Sequence, residues 1–225
     1  MPENNVQTMP AAANAKKIIS LGLILFTVTA ITGVILGMVH EITLEPIRQT
    51  QARLKNEALA GALPEADAFA PIALAENVDP VIKDVIKDVQ EARAGGNGAG
   101  YCVTVTPKGY AGVVEIVVGI TDEGHLRGIR ILSQSETPGL GAKSANPEFF
   151  GQYDNKDAPK LTVVKSAPSE PDQIQAISGA TITSNGVTSG VNAALSYWRR
   201  HLAPGATGVD DIGAVSGASI PEEGA

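Results

Sequence analysis

One cysteine and three histidines in 225 residues leave this chain without the means to build several common centres. A multi-ligand thiolate metal site, a cysteine-ligated iron–sulfur cluster and an internal disulfide each need more than Cys102 alone. No c-type haem attachment sequence is present either, so any redox centre held here is organic. His40 and His125 have no second ligand at useful spacing and read as interfacial and solvated side chains. Cys102, inside the apolar run from Tyr101 to Val105, reads as a small buried residue. Basic residues are also in deficit. Seventeen Lys and Arg against 24 Asp and Glu give a net charge of −7 and a pI near 5.0, which excludes nucleic acid as a natural partner.

Charge is absent altogether from residues 18 to 39, a run of 22 residues that includes Leu21, Leu23, Ile24, Leu25, Phe26, Val34, Ile35 and Leu36. At about 1.5 Å per residue it crosses a hydrocarbon layer of ~30 Å, so it reads as one transmembrane helix behind a short cytoplasmic N-terminus, 1–17. A cleaved signal peptide is the competing reading, with Lys16 and Lys17 as its charged region and Val28-Thr29-Ala30 as its cleavage site. The apolar run continues past Ala30 to Val39, which suits an anchor better. Lys16 and Lys17 at one end and Glu41 and Glu45 at the other favour an inside N-terminus, but Arg48, Arg53 and Lys55 leave the charge count undecided.

Beyond the anchor the sequence allows one core. Residues 40–94 read as a helical linker region. Val78, Val81, Ile82, Val85, Ile86 and Val89 make a helical stripe there, opposite Lys83, Asp84, Lys87 and Asp88. Residues 64–77 show no clear period. The glycine-rich run from 95 to 100 breaks the pattern and opens a domain over 95–202, with strands expected at 101–106, 113–120 and 125–132. Thr121-Asp122-Glu123-Gly124 is a hairpin signal between the last two. A short helix and polar loop are expected over 144–160, and another strand over 161–165. The expected fold is α+β, with a largely antiparallel sheet and packed helices. The tail, 203–225, has little to bury and is expected to be disordered.

The most informative segment runs Ser178-Gly179-Ala180-Thr181-Ile182-Thr183-Ser184. An apolar alternation leads into it, Gly179 permits a sharp turn, and Thr183, Ser184 and Asn185 are good N-cap residues for the helix that follows. Val187, Val191, Ala194, Leu195 and Trp198 form the buried stripe of that helix. Its start places the Thr181 hydroxyl beside a helix N-terminus, which favours an anion such as a phosphodiester. Gly186 and Gly190 cost about 1 kcal/mol each relative to Ala, which implies close packing against their face. On residue chemistry alone the segment also fits an ordinary capped helix, and Glu136-Thr137-Pro138-Gly139-Leu140-Gly141 fits an ordinary Pro-Gly turn.

Together, in this order and about 40 residues apart, the two segments resemble the bacterial FMN-binding domain family. Its relatives include the G subunit of the Rnf ion-translocating oxidoreductase complex and the C subunit of the sodium-translocating NADH:quinone reductase. The resemblance covers roughly residues 41–202. It implies FMN esterified through its phosphate to Thr181, with Ser178, Gly179 and Ala180 completing the acceptor motif and Thr183 continuing it. It implies Glu136, Thr137, Gly139, Leu140 and Gly141 as further cofactor contacts, while the cysteine and histidine content leads to the expectation of no metal site. One departure is Gln175, where many relatives carry Asp. A second loose acceptor pattern, Ser216 to Ser219, is followed by Pro221 and no amphipathic helix, so Ser219 is a poor acceptor.

The resemblance further implies a covalently flavinylated electron-carrying subunit, not catalytic alone, of a membrane-bound Rnf-type translocase that couples NADH or ferredoxin oxidation to ion movement. The other subunits of the complex are its implied partners, and a flavin transferase matures it. The flavin domain is expected on the extracytoplasmic (periplasmic) side of the inner membrane. Alternatives are the C subunit of the quinone reductase, a membrane-anchored flavin sensor or interaction module without a turnover role, and a flavin-free structural subunit.

Overall fold

The computed structural model describes residues 11–204 and 206. The expectations for residues 1–10, for Ser219 and for nearly all of the tail lie outside them. The chain divides into two units between Arg53 and Leu54. The boundary therefore falls well before residue 95, and the region read as a linker belongs largely to the second unit.

The first unit is helical. Helix α1 (Ala11–Ala62) begins in it, and Ile18–Thr43 has a mean hydropathy of 2.4. Its large apolar side chains, from Ile18 to Ile42, are all exposed. Threonine hydroxyls within this stretch fold back onto the helix: Thr27 donates to the Leu23 carbonyl and Thr32 to the Val28 carbonyl, each at 2.8 Å. That leaves hydrocarbon as the outward surface, with the polar groups satisfied internally. By length and composition this helix suits a single crossing of a membrane.

The second unit is built on a five-stranded antiparallel meander: β1 (Ala68–Ile72), β2 (Ile86–Ala94), β3 (Asn97–Val105), β4 (Glu115–Thr121) and β5 (Leu126–Ser133), in that order across the sheet. Alternation along the strands sorts the side chains to two faces. Val103, Val105, Ile116, Val118, Ile120 and Ile129 face a core completed by Val187, Val191, Ala194 and Leu195 of helix α4 (Thr181–Tyr197). On the opposite face Ala92, Cys102 and Val117 are covered by Ala58, Leu59, Ala62 and Leu63, at and just past the end of α1. Burial, with a smaller contribution from Asp88, pushes the Cys102 thiol up to about 12, so at neutral pH it is an inert packing group.

Between strand and helix, α3 (Pro147–Phe150) and flanking 3₁₀ turns lead to a parallel pair, β6 (Thr162–Val164) and β7 (Gln173–Gln175). Asn192 of α4 holds the start of this region, accepting from Leu161 N–H at 2.8 Å and donating to its carbonyl at 2.9 Å.

The α+β fold and the Thr121–Gly124 hairpin agree with expectation, whereas the helix over 78–89 does not. Only Pro80–Lys83 is helical (α2), capped by the Asp79 carboxylate, and from Ile86 the chain is a strand. β-Branched residues tolerate either period, and pairing with β1 and β3 selects the extended one. The glycine run is also a hairpin and not a break. Ala94 pairs with Asn97 across Gly95 and Gly96, whose φ values of 56° and 88° match the two-residue turn that suits the strand twist. β1, in the stretch without a period, completes the sheet edge.

Candidate functional site

Helix α4 begins earlier than the cap residues suggest. Thr181 is its first residue and Ala180 its N-cap, while Thr183 and Ser184 lie inside the first turn, both buried. Their hydroxyls are committed elsewhere. Ser184 accepts from Ile177 N–H at 2.9 Å and donates to the Ala180 carbonyl at 3.0 Å, which fastens the strand exit to the helix. Thr183 donates to Glu136 at 2.6 Å. The first helical bond runs from Ser184 N–H to the Ala180 carbonyl, and no side chain caps the N–H groups ahead of it. An uncapped helix start carries roughly half a positive charge, worth about 0.3–1 kcal/mol toward a nearby anion.

Gly179 makes this approach possible. Its φ of 75° lies in the left-handed region, and an added Cβ would sit 3.1 Å from Leu140 Cδ2. The turn thereby meets the loop at Glu136–Gly141, and the two segments form one cleft. Tyr110, Glu136, Thr137, Leu140, Gly141 and the run from Gly179 to Thr183 line it, with a volume of 450 Å³. That lies within the range of small-ligand sites, roughly 300–1,000 Å³. Thr181 is half-buried in the wall. Tyr110, Leu140 and Ile182 are exposed large apolar side chains of its lining.

Of the residues singled out in the sequence, Thr181, Gly179, Ala180, Thr183, Glu136, Thr137, Leu140 and Gly141 all reach this cleft. Ser178 and Gly139 do not line it. Ser178 borders an adjoining groove with Lys143, Gln152 and Gln175, and Gly139 serves the loop turn with a φ of 80°. Gln175 is tied through its backbone to the Gln152 side chain, accepting at 3.3 Å and donating at 2.7 Å, and its own side chain is exposed. Tyr110 joins the lining without a forewarning in either motif, and Ile182 lies inside the acceptor segment but is not among the contacts the resemblance implies. An aromatic between two glycines in Gly109-Tyr110-Ala111-Gly112 is the available signal.

Glu136 is the one ionisable carboxylate of the lining, only 6% exposed. Burial pushes its carboxyl upward, but hydrogen bonds from Thr183 and from the Ala111, Gly112 and Tyr110 N–H groups outweigh it and hold the carboxyl below its ordinary range. Among the described residues no Lys or Arg lines the cleft. The positive end of helix α4 and the hydroxyl-bearing residues Tyr110, Thr137 and Thr181 are what the lining offers an anion.

A larger cleft of 610 Å³ lies at the opposite end of the sheet, among Glu65, Asp122, His125, Arg127 and Asp157. Arg127 pairs with Glu65 there and His125 Nδ1 lies 2.9 Å from Asp157 Oδ1, and the cleft contains neither motif.

The FMN-binding domain family matches residues 109–196, which include both motifs and the Tyr110 loop. The chain is 34% identical to the G subunit of the Na⁺-translocating ferredoxin:NAD⁺ oxidoreductase complex of Acetobacterium woodii, over 82% of this chain and 93% of that protein. It is 36% identical to the G subunit of the proton-translocating ferredoxin:NAD⁺ oxidoreductase complex of Clostridium ljungdahlii, over 73% of this chain and 83% of the relative. The C subunit of the Na⁺-translocating NADH-quinone reductase of Parabacteroides distasonis shares its fold, with a TM-score of 0.52 at 20% identity over 69% of this chain and 94% of that one.

Proposed function

Because the chain belongs to the FMN-binding domain family that includes the G subunit of ion-translocating oxidoreductase complexes, we propose that it carries FMN esterified to Thr181 and passes electrons within such a complex. The observation that carries this reading is the uncapped start of α4, with Thr181 as its first residue in the wall of a cleft that no Lys or Arg lines among the described residues. Bound flavin supplies reversible one- and two-electron transfer. The chain's own residues supply position. The N–H groups of the first turn would hold the phosphate, Gly179 lets the turn close on the Leu140 loop, and Tyr110, Leu140 and Ile182 would offer apolar surface to a planar ring.

The electrostatics support covalent attachment. A buried carboxylate beside a single helix terminus binds a free phosphate weakly, whereas an ester retains the cofactor whatever its affinity. Retention matters most on the extracytoplasmic side of the membrane, where a lost flavin is diluted away, and that is the side we assign to the domain. The other subunits of the complex are its electron partners, and a flavin transferase attaches the cofactor. Sequence relatives at 34% and 36% identity are G subunits, which favours the Rnf-type assembly over the quinone reductase.

In-gel fluorescence after SDS denaturation tests attachment: the full chain from its own host fluoresces, and Thr181→Ala does not. Peptide mass spectrometry over residues 166–199 locates the adduct. A colourless wild-type protein with the unmodified mass at Thr181 would refute the reading. Turnover of the native assembly then separates carrier from sensor, since Thr181→Ala abolishes ferredoxin- or NADH-linked electron transfer only if the flavin lies on the path.

A further inference from the structure

The family resemblance makes Glu136 a cofactor contact, yet its carboxylate is already committed on both oxygens. Oε1 accepts from Ala111 N–H at 2.9 Å and Oε2 accepts from the Thr183 hydroxyl at 2.6 Å. Two glycines make room for it. A Cβ on Gly109 would lie 2.5 Å from Oε1, and one on Gly141 would lie 2.3 Å from Oε2 and 2.6 Å from Thr183 Oγ1. The carboxylate therefore occupies a fitted pocket where three separate segments meet: the loop before β4, the loop after β5 and the first turn of α4.

We infer that Glu136 is a positioning residue, which acts through the Thr183 hydroxyl to hold the first turn of α4 so that the Thr181 hydroxyl is presented for flavin attachment. This rests on the reading of Thr181 as the attachment site. Attachment forms a bond from Thr181 Oγ1 to the flavin phosphorus. It breaks the phosphoanhydride of a flavin dinucleotide, releases a nucleoside monophosphate and gives up the hydroxyl proton, with no net oxidation or reduction. Thr181 can take part only if its turn is fixed, because rotation of that turn moves the hydroxyl along the cleft wall. Thr183, two residues on, is the anchor, and a charge-assisted bond is about twice as strong as a neutral one.

The test is a double-mutant cycle on the full chain, with flavin transferase and flavin adenine dinucleotide, following the rate of mass gain at Thr181. Glu136→Gln keeps the volume but sets an amide against a donor, and it slows attachment roughly ten-fold or more. Thr183→Val slows it comparably, the double variant is no slower than the worse single, and Thr183→Ser recovers most of what Thr183→Val loses. Amide exchange supplies a readout independent of flavin: the first hydrogen-bonded amides of α4, residues 184–187, exchange faster in Glu136→Gln while β3 and β4 stay protected. Wild-type attachment in Glu136→Gln, or penalties that add in the double variant, overturns the inference. If the wild-type chain takes no flavin at Thr181 the functional reading fails first, and unchanged exchange at 184–187 then overturns this one as well.

Discussion

Glu136 sets a pH dependence that can be worked out in sign. Its carboxyl is held below the ordinary 4.5 in the folded chain by hydrogen bonds that outweigh burial, so its contribution to stability is fully present above that value. The contribution is lost as pH falls through the folded value. Urea unfolding of Glu136→Gln should therefore show a flatter fall in stability below about pH 4.5 than wild type, and equal slopes would remove the ionised carboxylate from the account. Gly179→Ala forces a side chain to a φ of 75°, at about 1–2 kcal/mol, and presses on Leu140. Lower stability with slower flavin attachment is expected. That Thr181, Gly179 and Glu136 share one cleft is expected from the resemblance, since on residue chemistry alone a hydroxyl before a helix, a turn glycine and an acid before Pro-Gly each fit an ordinary cap or turn. Tyr110 is not expected there, since its place in the cleft depends on a loop that reaches it only through the folded sheet.

The glycines of α4 show where element-scale propensity gives the wrong sign. Replacing an exposed helical Gly with Ala stabilises by about 1 kcal/mol. At Gly186, however, a Cβ would lie 2.4 Å from the Lys108 carbonyl oxygen, and at Gly190 it would lie 2.6 Å from the Pro107 ring. Backbone cannot yield as a side-chain tip does, so Gly186→Ala should lower stability by roughly 1–3 kcal/mol, checked by thermal or urea melts. A gain would show that the loop moves freely. The close packing inferred from these two glycines is thus present, against residues 107–109. Helix α4 is readable from its own stripe, as are β4 and β5 from their apolar runs. Residues 78–89 mislead because Val81, Ile82, Val85, Ile86 and Val89 fit a helical stripe and a turn-plus-strand equally well. Partners in β1 and β3 decide between them, and no local window contains them.

For the domain as a whole, the sheet needs cover on both faces. Ala58, Leu59, Ala62 and Leu63 bury Ala92, Cys102 and Val117, so the start of the second unit at Leu54 is a meaningful place to cut. Removing residues 1–53 should leave a soluble, folded domain whose Cys102 resists thiol reagents. Removing residues 1–66 should expose that face, speed labelling of Cys102 by orders of magnitude and promote aggregation. Equal labelling of the two truncations would mean that this helix end does not shield the sheet.

The cleft draws on Tyr110, on Glu136 to Gly141 and on Gly179 to Thr183, and its last wall is the opening turn of a helix anchored by Val187, Val191, Ala194 and Leu195. Colour in this protein would then act as a stamp of completed synthesis. A chain halted shortly after Thr181 holds the whole acceptor motif in its linear text, yet should remain unstained, because nothing downstream pins the threonine to the sheet. Maturation would come after folding, and a pulse-labelled culture should accumulate full-length colourless chains before any yellow ones.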